Sequence, residues 1–584
     1  MNKNLLFVLL FLTALIIVSS INADVPKDYS PVSTSASVQT GFLQTNNLNV
    51  AVSSDGIISY DRYTFTTGTA GLIWPVSTNQ RLTMDYAAGL WIGAKVGPSR
   101  ELRTAASLHA SHYSPGNIPV IGQVPPTSVC SDPRLKLYLV SLDDPNLFNG
   151  GVRNKVAGNR TYSILYDSWA AWPVDLGAPY IEVNGIPGYQ PELNGDRPGI
   201  WHTTARPNEL MFSVYMDYTN CTGGLHTSAI SLPGGTLPLG VEVQQLTFSF
   251  SDSPYRDMYF SKWRIINKSS LSWDSVYIAL VDDGDIGNGE DDAAGCDTTR
   301  DLGYIYNFDN NDVDYGASPP ALGYRILQSP MRFTGNNQDT AKLPYGNYTG
   351  YKLTGMSAYN VFVSTGGSCL GDPNNAAAAY NFLKGKDGCG NTMINWAREH
   401  PTTYKYSGIA FQQLGWYDSS AGDKRQILSC GPFSMNSGNE QYIVSGVIAG
   451  RSSSNLTSLS AMIDNSNQAK LFYNNSFGGT PIGITQTSTE VPVRFSLEQN
   501  YPNPFNPATT IRFSVMPNVK AQMSKVELTV YDALGRSVAM LVNDRLAAGT
   551  YSYEWNAANF PSGIYFYELK TEGFTKTKKM VMIK

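Results

Sequence analysis

Prolines at 502, 504 and 507 stand immediately before a series of alternating apolar runs, and this junction constrains the C-terminal part of the chain most tightly. Proline fixes φ and has no amide donor. Asn503 and Asn506 each precede a proline and are pushed towards extended or turn conformations. Residues 501–507 can therefore be neither a helix nor an interior strand, and they read as a stiff ribbon. Beyond it, residues 510–515 put Ile511, Phe513 and Val515 on one face, and residues 525–531 do the same with Val526, Leu528 and Val530. Residues 537–542 form a third run, Tyr551, Tyr553 and Trp555 a fourth, and 563–569 and 579–583 follow. Turn residues at 532–535, 548–549 and 561–563 punctuate them. Short period-2 strands at this spacing predict a small antiparallel sandwich.

The residues of this block also carry a resemblance. Tyr501, Pro502, Asn503, Pro504, Phe505, Asn506 and Pro507, then Thr510-Ile511-Arg512-Phe513, Val530-Tyr531-Asp532-Ala533-Leu534-Gly535, the Gly563-Ile564-Tyr565-Phe566-Tyr567 stretch and the run starting at Lys579 resemble a type A C-terminal sorting domain of the type IX secretion system. The resemblance covers residues 493–584. It implies an immunoglobulin-like seven-stranded sandwich, recognition by the outer-membrane translocon, and cleavage by a sortase-like peptidase. Release, or attachment to surface lipopolysaccharide, would follow. An adhesive immunoglobulin-like domain with no sorting role is the alternative that the strand pattern leaves open.

At the other end, Lys3 precedes an apolar run over residues 5–18, with small residues at Ser19, Ser20 and Ala23. This predicts a secretory signal peptide over residues 1–23, cleaved after Ala23. The run is too short for a membrane span and is not repeated downstream, so a soluble mature chain without a transmembrane segment is expected. No cysteine precedes Cys130, which excludes a lipid-modified N-terminal cysteine. Export through the periplasm, to the medium or the outer cell surface, agrees with both ends.

Cys130, Cys221, Cys296, Cys369, Cys389 and Cys430 would all meet an oxidising compartment. Six cysteines allow fifteen full pairings. The pair to test first is Cys369 with Cys389, which closes a short glycine-rich loop. A formal charge of −5 on a chain of this length argues against a nucleic-acid surface.

The body is too long for one core, so division into domains is expected: an N-terminal β-rich domain over 24–175, a central β-rich domain over 176–475, and a Gly-, Thr-, Ser- and Pro-rich linker over 476–492. The fold class is mainly β, a multi-domain antiparallel β-sandwich body with few helices. Strands are predicted at 48–52, 60–65, 90–96, 135–142, 161–166, 241–250, 259–266 and 275–281, the last three rich in β-branched and aromatic residues. Helices are predicted over 376–384, after Asp372-Pro373, and over 458–474. Blocks such as Gly89-Leu90-Trp91-Ile92-Gly93, Pro238-Leu239-Gly240-Val241 and Ser429-Cys430-Gly431-Pro432-Phe433 resemble a group of large secreted proteins with the same tail. That resemblance implies architecture and export, and no mechanism.

The strongest local signal for chemistry is Asp282-Asp283-Gly284-Asp285-Ile286-Gly287-Asn288-Gly289-Glu290-Asp291-Asp292, with Asp297 just beyond. Carboxylates this dense resist ionisation unless a cation sits among them. Calcium takes six to eight oxygen ligands from a flexible loop, and the glycines let the backbone turn and offer carbonyls. Asp283, Asp285, Asn288, Asp291, Asp292 and Asp297 are the candidate calcium ligands. A solvated acidic turn is the plain alternative. Asp309, Asn311, Asp312 and Asp314 form a second cluster, and Glu182 through Glu192 and Asp196 a weaker third.

Catalytic patterns are weak. No G-x-S-x-G elbow, H-E-x-x-H motif or phosphate-binding glycine loop is present. His109 and His112 read as a surface pair, and Trp169, Trp172, Trp201 and Trp263 as core. The leading expectation is a non-enzymatic surface or extracellular protein, structural or adhesive and calcium-stabilised. Alternatives are a secreted glycan- or protein-degrading hydrolase acting through Asp or Glu, and a carbohydrate-binding protein; extracellular glycans are the partners these imply.

Overall fold

The computed structural model describes residues 38–45, 47–62, 69–183, 188–229, 232–364, 367–478, 485–488, 492–516, 524–546, 548–557, 560–571 and 573–583. The leader predicted over 1–23 and part of the strand predicted at 60–65 lie outside them. Strand dominates the described residues, and helices are few, as the sequence predicts.

Two large antiparallel sheets form the centre of the body, with a four-stranded sheet of Thr40–Leu43, Asn49–Ser53, Leu72–Ile73 and Thr83–Asp85 and several two-stranded pairs beside them. The larger runs in the order Tyr138–Ser141, Glu209–Met216, Val241–Ser249, Met258–Asn267, Glu440–Gly450, Ala321–Gln328, Leu302–Asn307 and Asp292–Asp297, with Ser114–Pro115 also paired to Glu209–Met216. The smaller runs in the order Ala358–Val363, Lys424–Met435, Trp273–Gly284, Ala87–Val96 and Glu101–Ala105. Alternation along each strand sorts side chains to two faces. In the larger sheet Tyr215, Val243, Trp263 and Ile443 face one core, which they share with Leu90, Ile92, Ile278, Leu280 and Leu428 of the smaller sheet. Phe212, Leu246, Phe260 and Val444 face a second core, filled by Leu459, Met462 and Phe472 of the helix Asn455–Asn474. The far face of the smaller sheet carries Trp91, Val281, Phe362 and Ile427 against the helix Ala376–Leu383. The body is thus a sandwich whose two sheets are each backed by a helix. Burial on both faces explains why Glu209–Met216 and Val241–Ser249 are buried at every position, rather than alternately.

The helices follow their caps. Asn375, next to the predicted start, caps the first through its side chain on the amide of Ala378 at 2.9 Å. The second begins at Asn455, earlier than the apolar spacing indicated. There Ser454 and Thr457 exchange amide-to-hydroxyl bonds of 3.2 and 2.8 Å in a capping box. Trp172 and Trp263 are core residues, as read, each with its indole donor bonded inside the fold, to Pro179 O at 2.8 Å and Gln245 Oε1 at 2.9 Å.

The division at 175/176 does not survive. Ala87–Val96 pairs with Trp273–Gly284, and Tyr138–Ser141 pairs with Glu209–Met216, so both sheets are built from both sides of the boundary. Neither half could bury its apolar faces alone. The linker predicted over 476–492 also contains structure: Ser476–Gly478 is a short 3-10 turn and Thr485–Ser488 pairs with Gly549–Asn556.

In the C-terminal block, Thr485–Ser488, Gly549–Asn556, Ala508–Val515 and Ser496–Leu497 form one sheet. Ser537–Leu546, Ser524–Asp532, Gly563–Thr571 and Phe574–Met582 form the other. The seven expected strands run from Ser496 to Met582, and Thr485–Ser488 adds an eighth on the edge. Ile511, Phe513, Val526, Leu528, Tyr551, Trp555, Tyr567 and Met580 are buried between the sheets. The proline ribbon lies along the last strand: Phe505 N donates to Val581 O and Ile583 N to Phe505 O, both at 3.0 Å. Asn503 Oδ1 accepts from Val581 N at 2.9 Å, and Phe505 is buried against Trp555 while Tyr501 stays exposed. Gly563 and Lys579 occupy the paired strands, opposite Met582 and Phe566.

Candidate metal centre

Trp273–Gly284 is a central strand of the smaller sheet, and its end delivers two acids into the fold. Asp282 lies opposite Ala88 and Gln426, and Asp283 lies opposite Ala87 and Arg425. Asp282 accepts from Gln426 Nε2 at 3.0 Å. Asp283 Oδ2 lies 2.7 Å from His109 Nε2 and 3.3 Å from Arg425 Nη2.

Asp283, Asp285 and Asp423 converge, with one carboxylate oxygen of each within 4.8 Å of the others. Asp283 is 3 % exposed, and its Oδ1 has no hydrogen-bond partner; the same holds for Asp423 Oδ1 and, beside them, Asp282 Oδ1. Arg425 is the cation nearest the group, 3.2 Å from Asp423 and 3.7 Å from Asp372. Burial, and then the neighbouring charges of Asp283, Asp423 and Asp85, push the Asp285 carboxyl up to about 9. Burial first, then Asp282 and Asp283, raises Asp85 as well, and its Oδ2 takes the 2.5 Å hydroxyl bond of Tyr324. Hard oxygen donors, two of the three acids keeping an oxygen without a protein partner, in a site where burial and then the Asp283 charge raise both Asp285 and Asp423, are the donor set a divalent calcium-type cation takes.

The following loop is held by carboxylates acting as caps. Asp292 Oδ2 accepts from Ile286 N at 3.0 Å, and Asp312 Oδ2 accepts from Asn288 N at 3.0 Å. Gly287 has φ +65°, and a Cβ there would stand 2.2 Å from Asp312 Oδ1. A Cβ on Gly289 would meet Asp285 Oδ1 at 2.2 Å, so both glycines are needed for the carboxylates to come this close.

Of the six predicted ligands, Asp283 and Asp285 meet at the cluster. Asp292 and Asn288 act within the loop, and the side chain of Asn288 bonds Asp291. Asp291 and Asp292 each keep one oxygen unpartnered. Asp297 is turned elsewhere: Arg300 pairs with it, and Thr299 bonds it through N at 2.9 Å and Oγ1 at 2.6 Å. Asp423 carried no local signal, because it joins through the pairing of Trp273–Gly284 with Lys424–Met435. In the second acidic cluster, Asp312 Oδ1 accepts from Asp314 N and Tyr315 N, and Asp309 Oδ1 from Asn311 N. In the third, Asp196 spends both oxygens on Val183 N and Gln190 N, while residues 184–187 lie outside those described. The two histidines separate. His109 faces Asp283, whereas His112 is buried, so the surface pair expected from their spacing does not exist.

Residues 499–584 match the secretion system C-terminal sorting domain family. No curated protein matches the chain, and the resemblance of its body to a group of secreted proteins finds no support there. Among solved structures the chain is similar to a polysaccharide lyase at 7 % identity with a TM-score of 0.17. The match covers 58 % of this chain and 34 % of that one, about a third of its length, and carries neither fold nor substrate across. No helix among the described residues is long and apolar enough to cross a membrane. The tail, with its ribbon laid on a two-sheet sandwich, is a type IX secretion C-terminal sorting domain, and it directs the chain that bears it to the cell surface or the extracellular space.

Proposed function

We propose that the body is a non-enzymatic structural or adhesive protein of the cell exterior, locked by calcium bound at Asp283, Asp285 and Asp423. The observation that carries the cation is the convergence of these three carboxylates around buried oxygens with no protein partner. The cluster joins a strand end, the loop after it and the start of a neighbouring strand, so an ion there cross-links the smaller sheet. Delivery by the sorting tail supplies the setting, where millimolar extracellular calcium sites are ordinary. On this reading a sortase-like peptidase cuts within residues 476–492, and the body is then released or fixed to surface lipopolysaccharide.

A hydrolase would need two carboxylates facing each other across a cleft. The carboxylates here are instead packed against a sheet end with Arg425 and His109. The test is thermal melting and protease digestion of the mature protein in EDTA and in calcium. Calcium should raise the melting temperature and slow digestion. Curves that superimpose in the two conditions would remove the cation from the account.

A further inference from the structure

A second site, separate in its residues from the acidic cluster and independent of it, lies where the helix Ala376–Leu383 ends. A cavity of 540 Å³ opens between the Lys384-Gly385-Lys386 turn and the hairpin of Met393–Asn395 with His400–Thr402. Lys384, Lys386, Arg398 and His400 line it, and no Asp or Glu is among its lining residues. Thr402, Thr403 and Ser407 add hydroxyls.

Lys384 is the C-cap residue of the helix, where the negative end of the dipole favours a cation, and its ammonium lies 4.9 Å over the Tyr380 ring. Burial, and then the ammonium groups of Lys386 and Lys95, push Lys384 downward. Lys386 Nζ donates to Gly390 O at 3.2 Å, a carbonyl that cannot neutralise it. Arg398 is exposed at the hairpin tip.

The walls are fixed by bonds that do not use these charges. Asn360 Nδ2 holds Lys386 O at 2.6 Å, Tyr404 hydroxyl holds Met356 O at 2.7 Å, and Thr403 Oγ1 holds Ser357 O at 2.9 Å. The Cys369–Cys389 disulfide ties the loop following the lysines. Trp396, which stands in the chain between the lining residues Asn395 and Arg398, is 62 % exposed.

Like charges held together on a rigid frame are relieved by an anion. Hydroxyls beside the cations and a neighbouring exposed indole suit a sugar, whose own hydroxyls bond and whose apolar face stacks. We propose that this cavity binds a negatively charged polysaccharide, its carboxylate or sulfate groups held by Lys384, Lys386 and Arg398 with a sugar face on Trp396. The setting outside the cell, fixed by the tail, is where such chains occur.

The test uses the full-length protein with its tail still attached and three probes: alginate, dextran sulfate and neutral dextran, with binding followed by calorimetry. One polyanion should bind at low salt and be released near 1 M salt, where the screening length falls to about 3 Å. Preference for alginate assigns carboxylate, and preference for dextran sulfate assigns sulfate. Lys386→Gln with Arg398→Gln should weaken binding about tenfold or more, the scale of one lost charge-assisted hydrogen bond. Lys570→Gln with Lys576→Gln, an equal change of charge on exposed tail residues, should leave binding unchanged. Arg398→Gln alone, at an exposed position, should weaken binding without shifting the melting temperature. The proposal is overturned by equal losses in the two double variants, by no binding to either polyanion, or by neutral dextran binding as tightly.

Discussion

His109 Nε2 lies 2.7 Å from Asp283 Oδ2, and this contact determines which oxygen of the buried carboxylate is committed. Oδ2 also faces Arg425 at 3.3 Å, while Oδ1 is left without a partner beside Asp285 and Asp423. The histidine and arginine therefore steady the acid without filling the coordination that a cation would use.

If calcium binds there, Asp285→Asn with Asp423→Asn should abolish its effect on melting. Saturating calcium at about a hundredfold over Kd stabilises by about 2.7 kcal/mol. That difference should vanish in the double variant. Asp297→Asn should keep it, since Asp297 is bonded to Thr299 and paired with Arg300. Differential scanning calorimetry with and without calcium reads both.

The imidazoles of His112 and His226 stack with centroids 4.2 Å apart. Burial, and then His226, holds His112 down at about 3, against an ordinary 6.5. Its ring bonds Thr227 O at 3.1 Å, and the facing His226 sits between Thr104 O and Asp217 O with the Asp217 carboxylate 4.0 Å away. The unfolded chain takes up the His112 proton first as pH falls. Stability from this group is therefore complete above about 6.5 and is lost from there down towards about 3. The slope approaches about 1.4 kcal/mol per pH unit. In urea unfolding between pH 7 and 4.5, His112→Phe should lose less stability than wild type.

Two disulfides form, Cys130–Cys221 and Cys369–Cys389, the second being the pair singled out by its short loop. Cys296 and Cys430 remain buried thiols. Alkylation without reductant should label neither in the native protein and both after unfolding, read by mass spectrometry. The bridge across 91 residues constrains the unfolded chain more than the one across 20. Replacing the first pair by serine should cost on the order of 1 kcal/mol more than replacing the second.

In the tail, the Tyr567 hydroxyl donates to Glu498 O at 2.7 Å and accepts from Asn500 N at 2.8 Å, anchoring the segment that leads into the proline ribbon. Tyr567→Phe leaves a buried amide unpaired, at about 1–3 kcal/mol. Hydrogen exchange of the full-length protein should show faster exchange at Asn500 and a lower exported fraction in a type IX-competent host. Unchanged protection would mean that the ribbon is held by its strand contacts alone.

The local devices were legible. Proline spacing marked the ribbon, alternation marked the tail strands, and β-branched and aromatic runs marked Val241–Ser249, Met258–Asn267 and Trp273–Gly284, whereas Glu209–Met216, Ala321–Gln328, Lys424–Met435 and Glu440–Gly450 were not marked. Asn375 and Ser454 begin helices close to the predicted starts. The acidic loop was visible too, but its membership was not. Asp297 sits in the same sequence cluster and turns to Arg300, and His109 and His112 share a spacing yet end in different surroundings. Short-range spacing fixes neither the face on which a strand residue emerges nor what lies opposite.

By itself the sequence determined the sorting tail, the β class and the acid-rich loop after Val281, because each is written in neighbouring residues whose dihedral and polarity limits act locally. Only the tertiary structure decided that residues before and after 175 share two sheets, and that Asp423 meets Asp283. Each strand's alternation is compatible with many partners, and the register is chosen by burying all the apolar faces at once. That is a property of the whole chain and of no single segment in it.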